Sequence, residues 1–165
     1  MISDPIEFEL FKNAILSIAD EMALTIFRTT YSGVLKDNMD YSTAMFDGSG
    51  KLAAQGLTLP GHLGSMPTAM AAIQGAFAGR IEPGDVFILN DPFQGGMHLP
   101  DIFVFRPIFC GGELLAWAGT LFVISDGGRH IRKVVSPPLG STVPIPVQTS
   151  VDDWKVASER EDRVR

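Results

Sequence analysis

The chain has 165 residues, which is enough for one domain with one hydrophobic core. Hydrophobic residues make up 45% and charged residues 19%, with 17 Gly and 11 Pro, so the composition is that of a globular, loop-rich protein and excludes a disordered chain. The formal net charge of -6, without a long basic run, argues against binding to nucleic acid or to an anionic membrane.

Cysteine content and hydropathy bear on the compartment. The single cysteine, Cys110, cannot form an internal disulfide. No apolar stretch approaches the roughly 20 residues that a membrane-spanning helix needs. No charged-then-apolar leader opens the sequence. We therefore expect a cytoplasmic protein with no membrane partner.

The first predicted element is a helix from Pro5 to about Thr29. Asp4 can cap it, Pro5 suits the first helical position, and Glu7 completes a pattern like a capping box. Apolar side chains recur every four residues along it, at Leu10, Ala14, Ile18, Met22 and Ile26. This stripe predicts one buried face, in the core or at a subunit interface.

A hairpin and a second helix are predicted next. Residues 30–40 have no sustained period and indicate a loop, after which residues 42–46 and 51–55 read as two strands joined by a turn at 47–50. A Gly/Pro-rich loop, 60–67, leads into a helix over 68–77, with Ser65 as a candidate N-cap. His62 in this loop is either a displayed functional group or a local hydrogen-bonding residue.

Residues 90–101 carry the candidate chemistry. They follow the apolar run 86–89, which predicts a buried strand. His98 and Asp101 lie three residues apart, and the intervening Pro100 restricts the backbone so that both side chains can reach one ion. An imidazole nitrogen with a carboxylate oxygen suits a divalent metal ion such as zinc, manganese or iron(II). His98 and Asp101 are therefore the predicted metal ligands.

The same stretch has a purely structural interpretation. Asn90 and Asp91 can simply form the turn after the strand, and His98 can be a polar residue with ordinary hydrogen bonds. Gly95 and Gly96 allow a backbone with positive φ or a close approach to a ligand. A lone His-x-x-Asp pair is a weak motif and does not decide between these interpretations.

The remaining strands complete the predicted fold. Two apolar segments, 102–109 and 114–117, flank a turn at Gly111-Gly112 and predict another hairpin. We expect an α+β fold in which an N-terminal helix and a second helix accompany mainly antiparallel hairpins. Residues 127–165 show neither helical nor strand periodicity, and predict a poorly structured tail. Prolines crowd in this tail at Pro137, Pro138, Pro144 and Pro146.

The full string of residues 90–101 resembles a family signature. It reads Asn-Asp-Pro-Phe-Gln-Gly-Gly-Met-His-Leu-Pro-Asp, and is similar to the Asn-Asp-Pro-Tyr-x-Gly-Gly-Thr-His-Leu-Pro-Asp string of the hydantoinase B/5-oxoprolinase family, with Phe93 for Tyr and Met97 for Thr. The resemblance covers about residues 4 to 119. Further matches in family order are 28–32, 40–42, Phe46-Asp47, Gln55 and 60–67. The place of His62 in the last of these favours a functional role for it.

This resemblance implies a subunit of a metal-dependent, ATP-coupled hydrolase that opens a cyclic amide such as a hydantoin or 5-oxoproline. In that family a hydantoinase A-type partner subunit handles ATP. The chain itself has no Gly-x-x-x-x-Gly-Lys-Ser/Thr phosphate loop, which agrees with ATP being bound elsewhere. The related carboxylases of acetone and acetophenone use the same kind of metal site, so a ketone carboxylase α-subunit-like fragment is an alternative.

The chain departs from the family pattern after the last hairpin. Relatives usually carry an Ala-His-His-x-Asp-Val-Gly-Gly segment there, whose first histidine resembles a third metal ligand. Depending on the register, Phe122, Val123 or Ile124 stands where these histidines should be. The nearby His130 could substitute only if the loop folded differently. We therefore assign residues 1–126 to the N-terminal part of the family domain and 127–165 to a divergent tail. A fragment incomplete on its own is expected, and a non-catalytic remnant or interaction module is the competing hypothesis.

Overall fold

The computed structural model describes residues 4–124, apart from the side chains of Pro60 and Leu63. The α-helices are α1 (Pro5–Thr29), α2 (Gly33–Lys36) and α3 (Ser65–Ala76), and the strands are β1 (Tyr41–Asp47), β2 (Leu52–Gln55), β3 (Phe87–Leu89), β4 (Asp101–Cys110) and β5 (Glu113–Val123). The strands form an antiparallel sheet of order β2-β1-β5-β4-β3 with α1 and α3 on opposite faces, which confirms the predicted α+β class. The predicted tail, 127–165, lies outside the described residues.

Helix α1 has the predicted limits because its caps are local. The Asp4 carboxylate accepts a hydrogen bond from the Ile6 N–H at 2.9 Å, and the chain turns to extended geometry at Thr30. The predicted stripe is only partly buried in the core of this chain, since Leu10 is 67% exposed and Ile18 is 45% exposed, and its burial at a subunit interface stays a prediction. A 25-residue helix is about 38 Å long, whereas the seven residues of β1 span about 23 Å, so part of the helix extends beyond the strand on which it packs.

The core lies between α3 and one face of the sheet. Side chains alternate along each strand, and most of those that face α3 are buried. The largest buried members are Phe46, Phe87, Phe103, Phe105, Trp117 and Leu121, which pack against Met66, Met70 and Ile73 of α3. Both predicted hairpins form, β1 with β2 and β4 with β5.

Two local predictions need correction. Ser65 is the first residue of α3 rather than its N-cap, and its hydroxyl donates to the His62 carbonyl oxygen at 2.8 Å. The helix therefore starts three residues before the predicted segment. Residues 33–36, predicted as loop, form the short helix α2, which buries Leu35 against Ala23 and Tyr41.

Candidate functional site

The predicted ligand pair lies where the loop after β3 enters β4. Asp101 is the first residue of β4 and its side chain is 1% exposed, whereas the His98 imidazole is 48% exposed. Asp101 Oδ2 accepts hydrogen bonds from the N–H groups of Met97 at 2.6 Å and His98 at 3.1 Å. Asp101 Oδ1 lies 2.7 Å from His98 Nδ1. The carboxylate is therefore held at one oxygen and faces the imidazole with the other.

The close approach of these two atoms suits a shared cation. Among the described residues, the buried Asp101 Oδ1 has no hydrogen-bond partner, so its contact with His98 Nδ1 lacks hydrogen-bond geometry. A protonated His98 would form an ion pair with this oxygen, and a metal ion would take the place of that proton. Ligand atoms bound to one ion at about 2.0–2.2 Å lie about 3 Å apart at a right angle and about 3.4 Å apart in a tetrahedral site, so metal binding would move the two atoms slightly apart from the observed 2.7 Å. The donor set and its geometry fit a divalent metal ion.

Asn90 holds the backbone of the loop that carries His98 and Asp101. Its side chain is buried, and Nδ2 donates to the carbonyl oxygens of Leu99, at 2.8 Å, and Asp101. Asp91 accepts from the Phe93 N–H at 2.8 Å and so makes the predicted turn. Asp91 is therefore a turn former, whereas Asn90 ties the Leu99 and Asp101 carbonyl groups to the chain just after β3.

Gly95 anchors the loop on α3. Its φ is 123°, and a Cβ there would lie 2.7 Å from the Ala69 nitrogen and 2.9 Å from the Ser65 oxygen. Only glycine allows both the backbone angle and this contact. The close backbone approach predicted at Gly95-Gly96 is therefore an approach of Gly95 to the backbone of α3.

His62 is buried in a hydrogen-bonded group rather than displayed on the loop. Its Nδ1 lies 3.0 Å from Ser42 Oγ, and its Nε2 lies 3.5 Å from Asp40 Oδ1. Burial lowers the pKa of His62, and the negative charges of Asp40 and then Asp101 partly offset this effect. The Ser42 hydroxyl has one proton, and both His62 Nδ1 and the Leu59 carbonyl oxygen, 3.2 Å away, are within reach of it.

The sheet register shows which residue of β5 lies across from Asp101. Val123 pairs directly with Asp101 across the β4–β5 ladder, so both side chains lie on the α3-facing side. Phe122 pairs with Ile102 on the opposite face. Val123 is therefore the residue beside the ligand pair, and its side chain cannot bind a metal.

Asp40 lies next to Val123 and His62, although the sequence pattern assigns it no role. Its carbonyl oxygen accepts from the Val123 N–H at 3.2 Å, so Asp40 and Asp101 flank Val123 from adjacent strands. The alternation Asp40, Ser42, Ala44 along β1 is the only signal that would have placed it on this face. Within residues 4–124, no three His, Cys, Asp or Glu side chains are arranged to hold a metal ion. Also within that range, no helix has the length and apolar character of a membrane span.

Comparison with known proteins gives a consistent set of matches. The sequence profile of the hydantoinase B/oxoprolinase family matches residues 4–132. The chain is 40% identical over 135 residues to 5-oxoprolinase of Saccharomyces cerevisiae, covering 81% of this chain and 10% of that protein. It is 35% identical over 134 residues to caprolactamase subunit beta of Pseudomonas jessenii, covering 81% and 23%.

Solved structures show the same fold. The crystal structure of ATP-dependent caprolactamase from Pseudomonas jessenii matches with a TM-score of 0.71 and 28% identity, over 83% of this chain and 27% of that one. A nucleotide-free acetone carboxylase matches with a TM-score of 0.69 and 20% identity, over 75% and 17%, a likeness of fold alone. The chain thus spans about a tenth of the 5-oxoprolinase and about a quarter of the caprolactamase chain.

Proposed function

Because the chain belongs to the hydantoinase B/oxoprolinase family, we propose that it forms the metal-holding part of an ATP-coupled hydrolase of cyclic amides. The observation that carries the proposal is the pairing of His98 Nδ1 with the buried, unpartnered Asp101 Oδ1 at 2.7 Å. His98 and Asp101 would hold the metal ion. A bound divalent ion would supply Lewis acidity toward an amide carbonyl or a water molecule.

The neighbouring residues orient this pair. Two N–H groups fix Asp101 Oδ2, so that Oδ1 is directed toward His98 without a competing hydrogen bond. Asn90 holds the carbonyl groups on both sides of Pro100 and so sets the spacing of the two ligands. Such supporting contacts typically change metal affinity by about 10–100-fold when they are lost.

The substrate and partner follow from the relatives' names and from the resemblance. 5-Oxoprolinase and caprolactamase are named for cyclic amides, so we infer a small cyclic amide as the substrate, such as a hydantoin, 5-oxoproline or a lactam. The caprolactamase match is a beta subunit, which supports assembly with another subunit. We infer that a hydantoinase A-type subunit binds ATP, since this chain contains no phosphate loop.

Two alternatives have specific support. The resemblance of residues 90–101 to the family signature is shared by the ketone carboxylases, so a ketone carboxylase α-subunit-like fragment is an alternative that would use the same pair of ligands. Val123 in place of a third ligand favours a non-catalytic remnant or interaction module. The first alternative keeps metal binding, whereas the second does not require it.

Metal titration tests the proposal. Calorimetric titration of the 165-residue chain with Zn²⁺ or Mn²⁺ should show one weak site, weak because two protein ligands are fewer than the usual three or four. The double variant His98→Ala, Asp101→Ala should bind at least about tenfold more weakly. The matched control is Met97→Ala, which lies in the same loop and keeps its backbone bond to Asp101. Equal binding by the double variant and the unaltered chain would contradict the proposal.

A further inference from the structure

Asp40 lies on the same side of the sheet as the candidate metal ligands. Its carbonyl oxygen accepts from the Val123 N–H at 3.2 Å, and Val123 pairs with Asp101 on its other side. Adjacent strands are about 4.8 Å apart, so the backbones of Asp40 and Asp101 are about 10 Å apart with one valine between them. The Asp40 side chain is 29% exposed and is therefore open to water. Two carboxylates thus flank Val123.

His62 shows that the polar groups around Val123 lie within electrostatic range of one another. Its Nε2 is 3.5 Å from Asp40 Oδ1, and the charges of Asp101 and His98 also act on its ring. Burial lowers the pKa of His62, so the ring is neutral at pH 7 and leaves the charge of Asp40 uncancelled. The distance of 3.5 Å is longer than an ordinary hydrogen bond. The Asp40 oxygens can therefore accept hydrogen bonds from water.

The backbone before Asp40 is held in an unfavourable conformation. Met39 has a φ of 53°, in the left-handed region that side chains rarely adopt, and is the only non-glycine residue with positive φ among the described residues. The Asp40 N–H donates to the Val34 carbonyl oxygen at 3.2 Å, and the Tyr41 N–H donates to that of Met39 at 2.8 Å. Strained backbone of this kind concentrates at functional sites. The conformation of Met39 therefore points to a role for the residue that follows it.

We propose that Asp40 is a positioning residue of the metal site, whose carboxylate accepts a hydrogen bond from a water molecule bound to the ion that His98 and Asp101 hold. Within residues 4–124, no three His, Cys, Asp or Glu side chains are arranged to hold one ion, so Asp40 is not a third direct ligand. A bridging water extends the reach of a carboxylate by about 2.8 Å. The inference rests on the proposed function and adds to it the residue that holds water beside the ion.

Titration with Mn²⁺ tests this role, with free Mn²⁺ measured by electron paramagnetic resonance on the full chain. Asp40→Ala should weaken binding by about tenfold, the lower end of the range for lost supporting contacts. Asp40→Asn keeps the size of the side chain and one acceptor oxygen, so it should weaken binding less. The matched control is Asp37→Ala, which removes the same charge from an exposed position at the end of α2 and should change binding by less than about twofold. Circular dichroism should show that all three variants keep the fold.

Two measurements separate a positioned water molecule from a long-range effect of charge. At about 1 M salt the screening length is about 3 Å, and the loss of affinity in Asp40→Ala should persist there. Exchange of the water bound to Mn²⁺, measured by nuclear magnetic relaxation of the solvent, should become about fivefold faster in Asp40→Ala, because one ordinary hydrogen bond is lost. The same exchange should be unchanged in Asp37→Ala.

The double variant His98→Ala, Asp101→Ala separates failure of this inference from failure of the proposed function. Binding that is lost in the double variant but unchanged in Asp40→Ala would overturn the role of Asp40 and leave the proposed function standing. A loss of affinity that disappears at high salt, or water exchange that stays the same in Asp40→Ala, would also overturn it, because Asp40 would then act through its charge alone. Absence of Mn²⁺ binding by the unaltered chain would overturn both.

Discussion

The two oxygens of Asp101 show how single atoms define the candidate site. Oδ2 accepts hydrogen bonds from two backbone N–H groups, whereas Oδ1 is buried, lies 2.7 Å from His98 Nδ1 and has no hydrogen-bond partner among the described residues. A buried carboxylate oxygen without a hydrogen bond costs about 1–3 kcal/mol or more. In the proposed function, a cation shared with His98 would offset this cost.

His62 offers a test at the same scale through pH. Burial lowers its pKa below the ordinary value of 6.5. Above 6.5 the residue is neutral in both the folded and the unfolded chain. As the pH falls from there toward the folded-state pKa, the unfolded chain binds a proton that the folded chain does not, so the free energy of unfolding decreases. Below the folded-state pKa, His62 is protonated in both states, so it no longer changes the free energy of unfolding as the pH falls.

We therefore predict that denaturant unfolding of the unaltered chain shows a steeper loss of stability below pH 6.5 than His62→Asn does. The difference in slope is at most about 1.4 kcal/mol per pH unit, the value for one proton. Asparagine is the matched replacement because its amide can keep the bond that Nδ1 makes to Ser42. Parallel pH profiles for the two proteins would show that His62 is not held neutral by burial.

At the scale of elements, the predictable parts of the fold are those set by neighbours in sequence. Asp4 and Pro5 fix the start of α1, and turn residues fix both hairpins. The pairing of β1 with β5 joins residues as distant as Tyr41 and Phe122, and no local pattern indicates it. The sequence pattern puts Ser65 at the N-cap of α3 and not inside the helix, because it does not show that Pro60–Gly64 form a tight helical turn leading directly into α3.

The residues of the candidate site fall into the same two groups, those that are near in sequence and those that the fold brings together. His98 and Asp101 are near in sequence, so their spacing was enough to pair them. Asp40 and Val123 reach the site only through strand pairing, and Asn90 reaches it through side-chain bonds to Leu99 and Asp101. The two candidate ligands could therefore be predicted from the sequence. The residues around them could be identified only from the pairing of the strands and the side-chain bonds in the structure.

The strand register makes a specific prediction for the third ligand position. Val123→His should raise zinc affinity by about tenfold or more, because a second imidazole beside Asp101 gives three protein ligands. Phe122→His is the matched control, since position 122 faces the opposite side of the sheet and should give no gain. Calorimetric titration of both variants measures the effect, and an equal gain at 122 and 123 would contradict the assignment.

At the scale of the whole molecule, the described residues form a layered unit with exposed apolar surface and an open site. His98 is 48% exposed, so solvent reaches the candidate metal position directly. Hydrolases of stable amides usually exclude bulk water from the reacting groups and hold them with preorganised polar contacts.

We predict that the isolated chain does not catalyse ATP-dependent opening of 5-oxoproline, hydantoin or caprolactam. Its described part offers two ligands where about three are usual, and its sequence has no phosphate loop to bind ATP. Adding a hydantoinase A-type subunit should not restore activity, because the subunit would supply ATP binding but not the missing ligand. Chromatography of ring-opened product and assay of released phosphate measure the outcome, with intact caprolactamase as the positive control. ATP-dependent product formed by the unaltered chain and abolished by His98→Ala would show that two ligands on this unit suffice for catalysis.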